Sequence, residues 1–125
     1  MGRINRFLCP SCRMTWQIQL GHGFRHALLE NVLEAFPEDI REKILADTKG
    51  ESFPSFEFQY QAAACAKCRQ VLSVPVIHLH KSGSTYAPAC PDCGSPVRIK
   101  QEEESLTCPR CGESPLTAQE MGRWD

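Results

Sequence analysis

The sequence predicts a small α+β fold built around bound metal: two knuckle–hairpin–knuckle modules, the first carrying a helical-hairpin insertion. Three observations predict it. All eight cysteines fall in four Cys-x-x-Cys pairs, Cys9/Cys12, Cys65/Cys68, Cys90/Cys93 and Cys108/Cys111. Short alternating apolar stretches adjoin those pairs. One helical pattern, about 24–48, interrupts them. With 125 residues, 42% of them hydrophobic, and a mean hydropathy of -0.34, the chain reads as a globular protein. No apolar run approaches the roughly 20 residues of a membrane helix. The start Met1-Gly2-Arg3-Ile4-Asn5-Arg6-Phe7-Leu8 lacks the apolar stretch of a secretory signal. The expected location is therefore the cytoplasm.

In chain order, the first pair reads Cys9-Pro10-Ser11-Cys12-Arg13. Met14, Trp16, Ile18 and Leu20 then alternate with polar residues and predict a half-buried strand. Gly21-His22-Gly23 breaks it. Phe24, Leu28, Val32 and Ala35 or Phe36 share a helical face, flanked by Leu29 and Leu33. Pro37, followed by Glu38 and Asp39, opens a second helix with the apolar stripe Ile40, Ile44 and Leu45, ended by Lys49-Gly50. Phe56, Phe58 and Tyr60 alternate in a second strand that feeds into Cys65. The apolar, β-branched run 71–80 predicts a third, and Pro75 within it an edge strand or a bulge.

Lys81-Ser82-Gly83-Ser84 is a turn and the expected module boundary, which divides the chain into 1–80, 81–116 and a polar tail 117–125. In the second module, 97–100 and 105–107 flank a turn at Glu102-Glu103-Glu104. Its apolar residues are few, Val97, Ile99, Leu106 and Leu116, so metal binding, worth on the order of 10 kcal/mol, is expected to supply folding energy.

The spacing explains the metal. Two thiolates three positions apart wrap a tight turn and face one ion, and two such pairs supply the closed tetrahedral shell of structural zinc. A disulfide framework has no need of this spacing. Two pairs read Cys-Pro-x-Cys-Gly, with Gly94 and Gly112 free to take positive φ; Arg13 and Arg69 stand at the same place in the other two. The 14 residues between Cys93 and Cys108 suit a short hairpin. That assigns Cys90, Cys93, Cys108 and Cys111 to one Zn²⁺ and Cys9, Cys12, Cys65 and Cys68 to the other, although crossed groupings are also compatible with the spacing.

The Cys90–Cys111 segment resembles zinc ribbons. Residues 7 to about 80 resemble the CpXC domain, a prokaryotic family with two Cys-Pro-x-Cys-type motifs; Cys9-Pro10-Ser11-Cys12 matches, and Cys65-Ala66-Lys67-Cys68 has Ala66 where Pro is expected. The resemblance implies a fold and no activity.

Charge limits the functional classes. Fourteen Lys and Arg against 15 Asp and Glu give -1, and two four-thiolate zinc sites would bring this to about -5. A phosphate-backbone binder normally has a basic excess. The imbalance is local: 63–101 nets +4 and 102–125 nets -4. Lys67, Arg69, Lys81, Arg98, Lys100 and Arg110 are the candidate nucleic-acid contacts. Trp16 reads as core rather than as a stacking platform. Either His22/His26 or His78/His80 could bind a metal, but no carboxylate or third His sits at a convincing spacing; His78-Leu79-His80 reads as a solvated strand face and His22/His26 as a helix-entry feature. No catalytic constellation stands out. The expected function is a two-zinc binding or adaptor module acting on another protein through the helical segment and the strand at 71–80. A nucleic-acid-binding zinc ribbon comes second and a rubredoxin-like iron redox protein third. Against iron, no aromatic residue in 87–123 would shield a redox centre.

Overall fold

A computed structural model describes residues 2–99, 106–112 and 115–124, with the side chains of residues 24 and 25 excepted. Lys100, the turn at Glu102–Glu104, Ser105 and Glu113 lie outside the described residues. Among the described residues the fold is mostly β, with two α-helices and two four-cysteine groups.

Strands β1 (Gly2–Leu8), β2 (Thr15–Leu20) and β7 (Thr117–Trp124) form one sheet, ordered β2-β1-β7. Strands β3 (Phe56–Cys65), β4 (Gln70–Leu79), β5 (Thr85–Tyr86) and β6 (Arg98–Ile99) form the other, ordered β5-β4-β3-β6. All pairings are antiparallel. Two corrections follow. The polar tail is a strand: β7 runs beside β1 from Gly2↔Trp124 to Leu8↔Thr117. The turn at 81–84 is not a module boundary, because it joins β4 to β5 within one sheet.

The sequence of β4 is apolar on both faces because both are covered. On one face, Phe58, Ile77 and Leu79 pack against Val32, Phe36 and Ile44 of the helical segment. Further along that face, Ala62 and Val71 meet Phe7, Leu20, Leu106 and Leu116. On the other face, Val74, Val76 and Ala63 lie under Val97 and Ile99.

β4 lies between β3 and β5, but β5 pairs only with Ile77 and His78, so at Pro75 the expected edge holds on that side among the described residues. Pro75 is accommodated by register. Its partner Tyr60 exchanges both backbone bonds with Gly21, at 2.8 and 2.6 Å. Tyr60 and Pro75 therefore form a non-hydrogen-bonded pair, and the missing N–H of the proline costs β3 nothing.

Between β2 and β3, a 3₁₀ turn (Phe24–Ala27) precedes α1 (Leu29–Leu33) and α2 (Glu38–Asp47). The continuous first helix expected from periodicity is broken at Leu28, which is extended and 56% exposed. His26 explains the break: its Nδ1 accepts the Gly23 N–H at 2.8 Å, and its ring packs against Phe58, Tyr60 and Trp124. Arg41 of α2 donates to the carbonyls of Leu33 and Phe36, satisfying the end of α1. The Tyr86 hydroxyl donates to Asp47 and ties the end of α2 to β5. Of the expected α2 stripe, Ile44 is buried and Ile40 partly so, whereas Leu45 is exposed.

Trp124 closes the first sheet. Its Nε1 donates to the carbonyls of Arg3 and Leu20. Its ring occupies the space a side chain at position 2 would need: a Cβ on Gly2 would fall 2.0 Å from it.

Candidate metal centres

All four Cys-x-x-Cys turns adopt one local shape. The residue after the second cysteine has positive φ in every case: Arg13 (60°), Arg69 (57°), Gly94 (73°) and Gly112 (70°). Its N–H donates to the carbonyl of the first cysteine, at 2.9 Å for Arg13 and 2.8 Å for the other three. Within the turn, the Cys12 and Cys68 amides approach the sulfurs of Cys9 and Cys65, at 3.5 and 3.4 Å. Turning backbone N–H groups toward a sulfur favours its thiolate form. Arginine bears a steric cost in this left-handed region that glycine avoids. Arg13→Gly and Arg69→Gly are each expected to stabilise the protein by about 1 kcal/mol, read as a rise in the urea midpoint of the metal-loaded chain.

Strand pairing then brings the turns together. The turn after β1 and the turn before β7 meet because β1 and β7 lie side by side, ending at Leu8↔Thr117. Cys9, Cys12, Cys108 and Cys111 form one group. The turn joining β3 to β4 meets the turn at 90–93 because β6 pairs with Ala63 and Ala64. Cys65, Cys68, Cys90 and Cys93 form the other. The assignment by chain order is thereby corrected: neither Cys90/Cys93 with Cys108/Cys111 nor Cys9/Cys12 with Cys65/Cys68 share a group. Ladder pairing between distant strands, rather than the short sequence separation of Cys93 and Cys108, decides the partners.

The sulfurs in each group lie within 4.8 Å of one another. Across the pairs, the separations are 3.6 Å for Cys9–Cys111 and Cys12–Cys108, 3.5 Å for Cys65–Cys93 and 3.8 Å for Cys68–Cys90. An ion bonded tetrahedrally to four sulfurs at about 2.3 Å sets them about 3.8 Å apart. A disulfide needs about 2 Å, and all eight cysteines are free thiols. In each group the first cysteine of each pair is buried, and the second is half-buried or, for Cys12, exposed.

Electrostatics point the same way. The Cys12 amide holds the Cys9 thiol down, to about 6, and the Ser95 hydroxyl and amide do the same for Cys93, also to about 6. Burial pushes the Cys108 thiol up to about 11, and hydrogen bonding to the Cys93 sulfur with burial pushes Cys68 up. Each group thus holds one readily ionised sulfur beside one that resists ionising. Four sulfurs this close could hold a cation among them.

The candidate nucleic-acid contacts do not converge. Lys67 and Arg69 sit on the turn between β3 and β4, near Arg98, which pairs with Ala64. Lys81 lies at the far end of that hairpin, roughly 30 Å away at 3.3 Å per residue. Arg110 belongs to the other cysteine group, and Lys100 is outside the described residues. Trp16 packs against the core around Cys9 and Cys108, as expected.

Among the described residues no helix is long and apolar enough to cross a membrane. Compared with protein-family models, curated proteins and solved structures, the chain matches none.

Proposed function

We propose that the protein is a two-zinc binding module, with Cys9, Cys12, Cys108 and Cys111 holding one ion and Cys65, Cys68, Cys90 and Cys93 the other. The observation that carries this reading is the closed shell. Each group supplies four sulfurs at the spacing of one tetrahedral ion, which leaves no position for a water or substrate. Such ions shape the chain rather than react. Zinc is favoured over iron because Cys12 is exposed and Cys68, Cys93 and Cys111 are only half-buried, a wet setting that suits a redox-inert ion.

Within this reading the cysteine turns are zinc-ribbon knuckles, as the motif resemblances imply, and residues 24–48 are a helical insertion between two of them. The role left for the chain is to present a surface to another protein. Leu28, Leu45 and Phe53, the last 95% exposed, are the large apolar side chains that the helical side offers. Eight reduced thiols fit a cytoplasmic setting.

Elemental analysis and absorption spectroscopy of the purified protein, with a mobility-shift assay, test this. The expected result is two zinc ions per chain, no visible colour and no shift of mixed oligonucleotides at low salt. Iron with visible thiolate absorption, or a salt-dependent shift, would contradict it.

A further inference from the structure

His78 lies in β4 and His80 just past its end, their ring centres 5.8 Å apart, and Glu57 of β3 stands directly opposite His78 in the ladder. We propose that His78, His80 and Glu57 form a third, open site for a divalent transition-metal ion, separate from the two sulfur groups. Three features carry it. The His80 Nε2 and a Glu57 carboxylate oxygen are 3.7 Å apart. That exceeds a hydrogen bond and is close to the roughly 3.4 Å edge that a nitrogen and an oxygen span on one ion at about 2.1 Å. The two imidazole centres lie 5.8 Å apart, against roughly 5 Å for two rings ligating one ion through Nε2.

The third feature is the outer support. The Nδ1 of His80 hydrogen-bonds the Ser55 hydroxyl at 2.7 Å, and the Nδ1 of His78 bonds the Thr85 hydroxyl at 2.8 Å. In the tautomer that carries the proton on Nδ1, the hydroxyl oxygen accepts it and the lone pair of each ring is on Nε2, the usual arrangement behind a ligating histidine.

The remaining coordination positions face water. His78 and Glu57 line a groove of about 930 Å³, shared with His22 and His26. His26 is otherwise engaged, by the Gly23 amide and three aromatic rings. The sulfur groups are the donor sets already within 4.8 Å of one another among the described residues. The His/Glu trio is not among them; it would close on one ion by movement of the 77% exposed Glu57 side chain, with both rings kept on their hydroxyl partners. Imidazole and carboxylate donors suit nickel or zinc, whereas the softer thiolates retain zinc.

Calorimetric titration of the zinc-loaded full chain with Ni²⁺ tests the site. One Ni²⁺ per chain is expected to bind with both zinc ions retained. His78→Gln and His80→Gln are each expected to weaken binding at least tenfold, and Ser55→Ala by a smaller factor, at unchanged zinc content and far-UV spectrum. His22→Gln is expected to leave it unchanged. Absence of Ni²⁺ binding, or loss with His22→Gln and retention with His80→Gln, would overturn the proposal.

Discussion

Stripping both metal ions with a strong chelator at neutral pH is expected to unfold the β-sheet framework. A four-thiolate zinc site contributes on the order of 10 kcal/mol to folding, comparable to the whole stability of a domain this size. Among the described residues the sheet of β1, β2 and β7 buries few large apolar side chains beyond Phe7 and Leu20, and Cys9 and Cys108 themselves form part of that core. Without a cation, sulfurs within 4.8 Å of one another must either repel as thiolates or take up protons, and the bonds that tie the distant cysteine turns together are lost. The helical cluster of Val32, Phe36, Ile44, Phe58, Ile77 and Leu79 contains no cysteine, so its circular-dichroism signal is expected to survive further into the titration. Acid acts in the same direction, because protons compete with metal for thiolates. A chelated protein with an unchanged spectrum and unchanged protease resistance would refute the claim.

Phe7→Ala is the point substitution with the largest expected cost, about 3–5 kcal/mol. Phe7 is 2% exposed and lies in the cluster that holds Cys9 and Cys108. The cavity therefore opens beside a metal group, and the variant is expected both to melt earlier and to lose one of its two ions faster to a chromophoric chelator. Ile44→Ala supplies the contrast. Ile44 is fully buried in the helical cluster, and its loss is expected to cost about 2–5 kcal/mol while leaving both release rates unchanged. Equal acceleration in the two variants would show that metal retention follows global stability rather than the local packing of Phe7.

What the sequence made legible was local. The Cys-x-x-Cys spacing identified all four turns, and alternation in 14–20 and 56–61 identified β2 and the start of β3. Pro37, Glu38 and Asp39 marked the beginning of α2. What it hid was pairing at a distance. In β1 the apolar alternation is broken between Ile4 and Asn5, where the register with β7 shifts, so Ile4 and Phe7 fall out of phase. Most of β7 is exposed and its apolar residues do not alternate, with Trp124 as its one large ring, so no periodicity announces it. Because these two strands bring Cys9/Cys12 to Cys108/Cys111, missing them also misassigned the metal partners. Glu57 was hidden for the same reason: it is 21 positions from His78 in the chain and its direct neighbour across the ladder.

The nested pairing of the cysteine turns is tested most directly by counting zinc in double variants by native mass spectrometry. Cys9→Ser/Cys108→Ser damages one group and is expected to retain one ion per chain. Cys9→Ser/Cys65→Ser damages both and is expected to retain none. One ion held by the second variant and none by the first would contradict the structure and restore pairing in chain order.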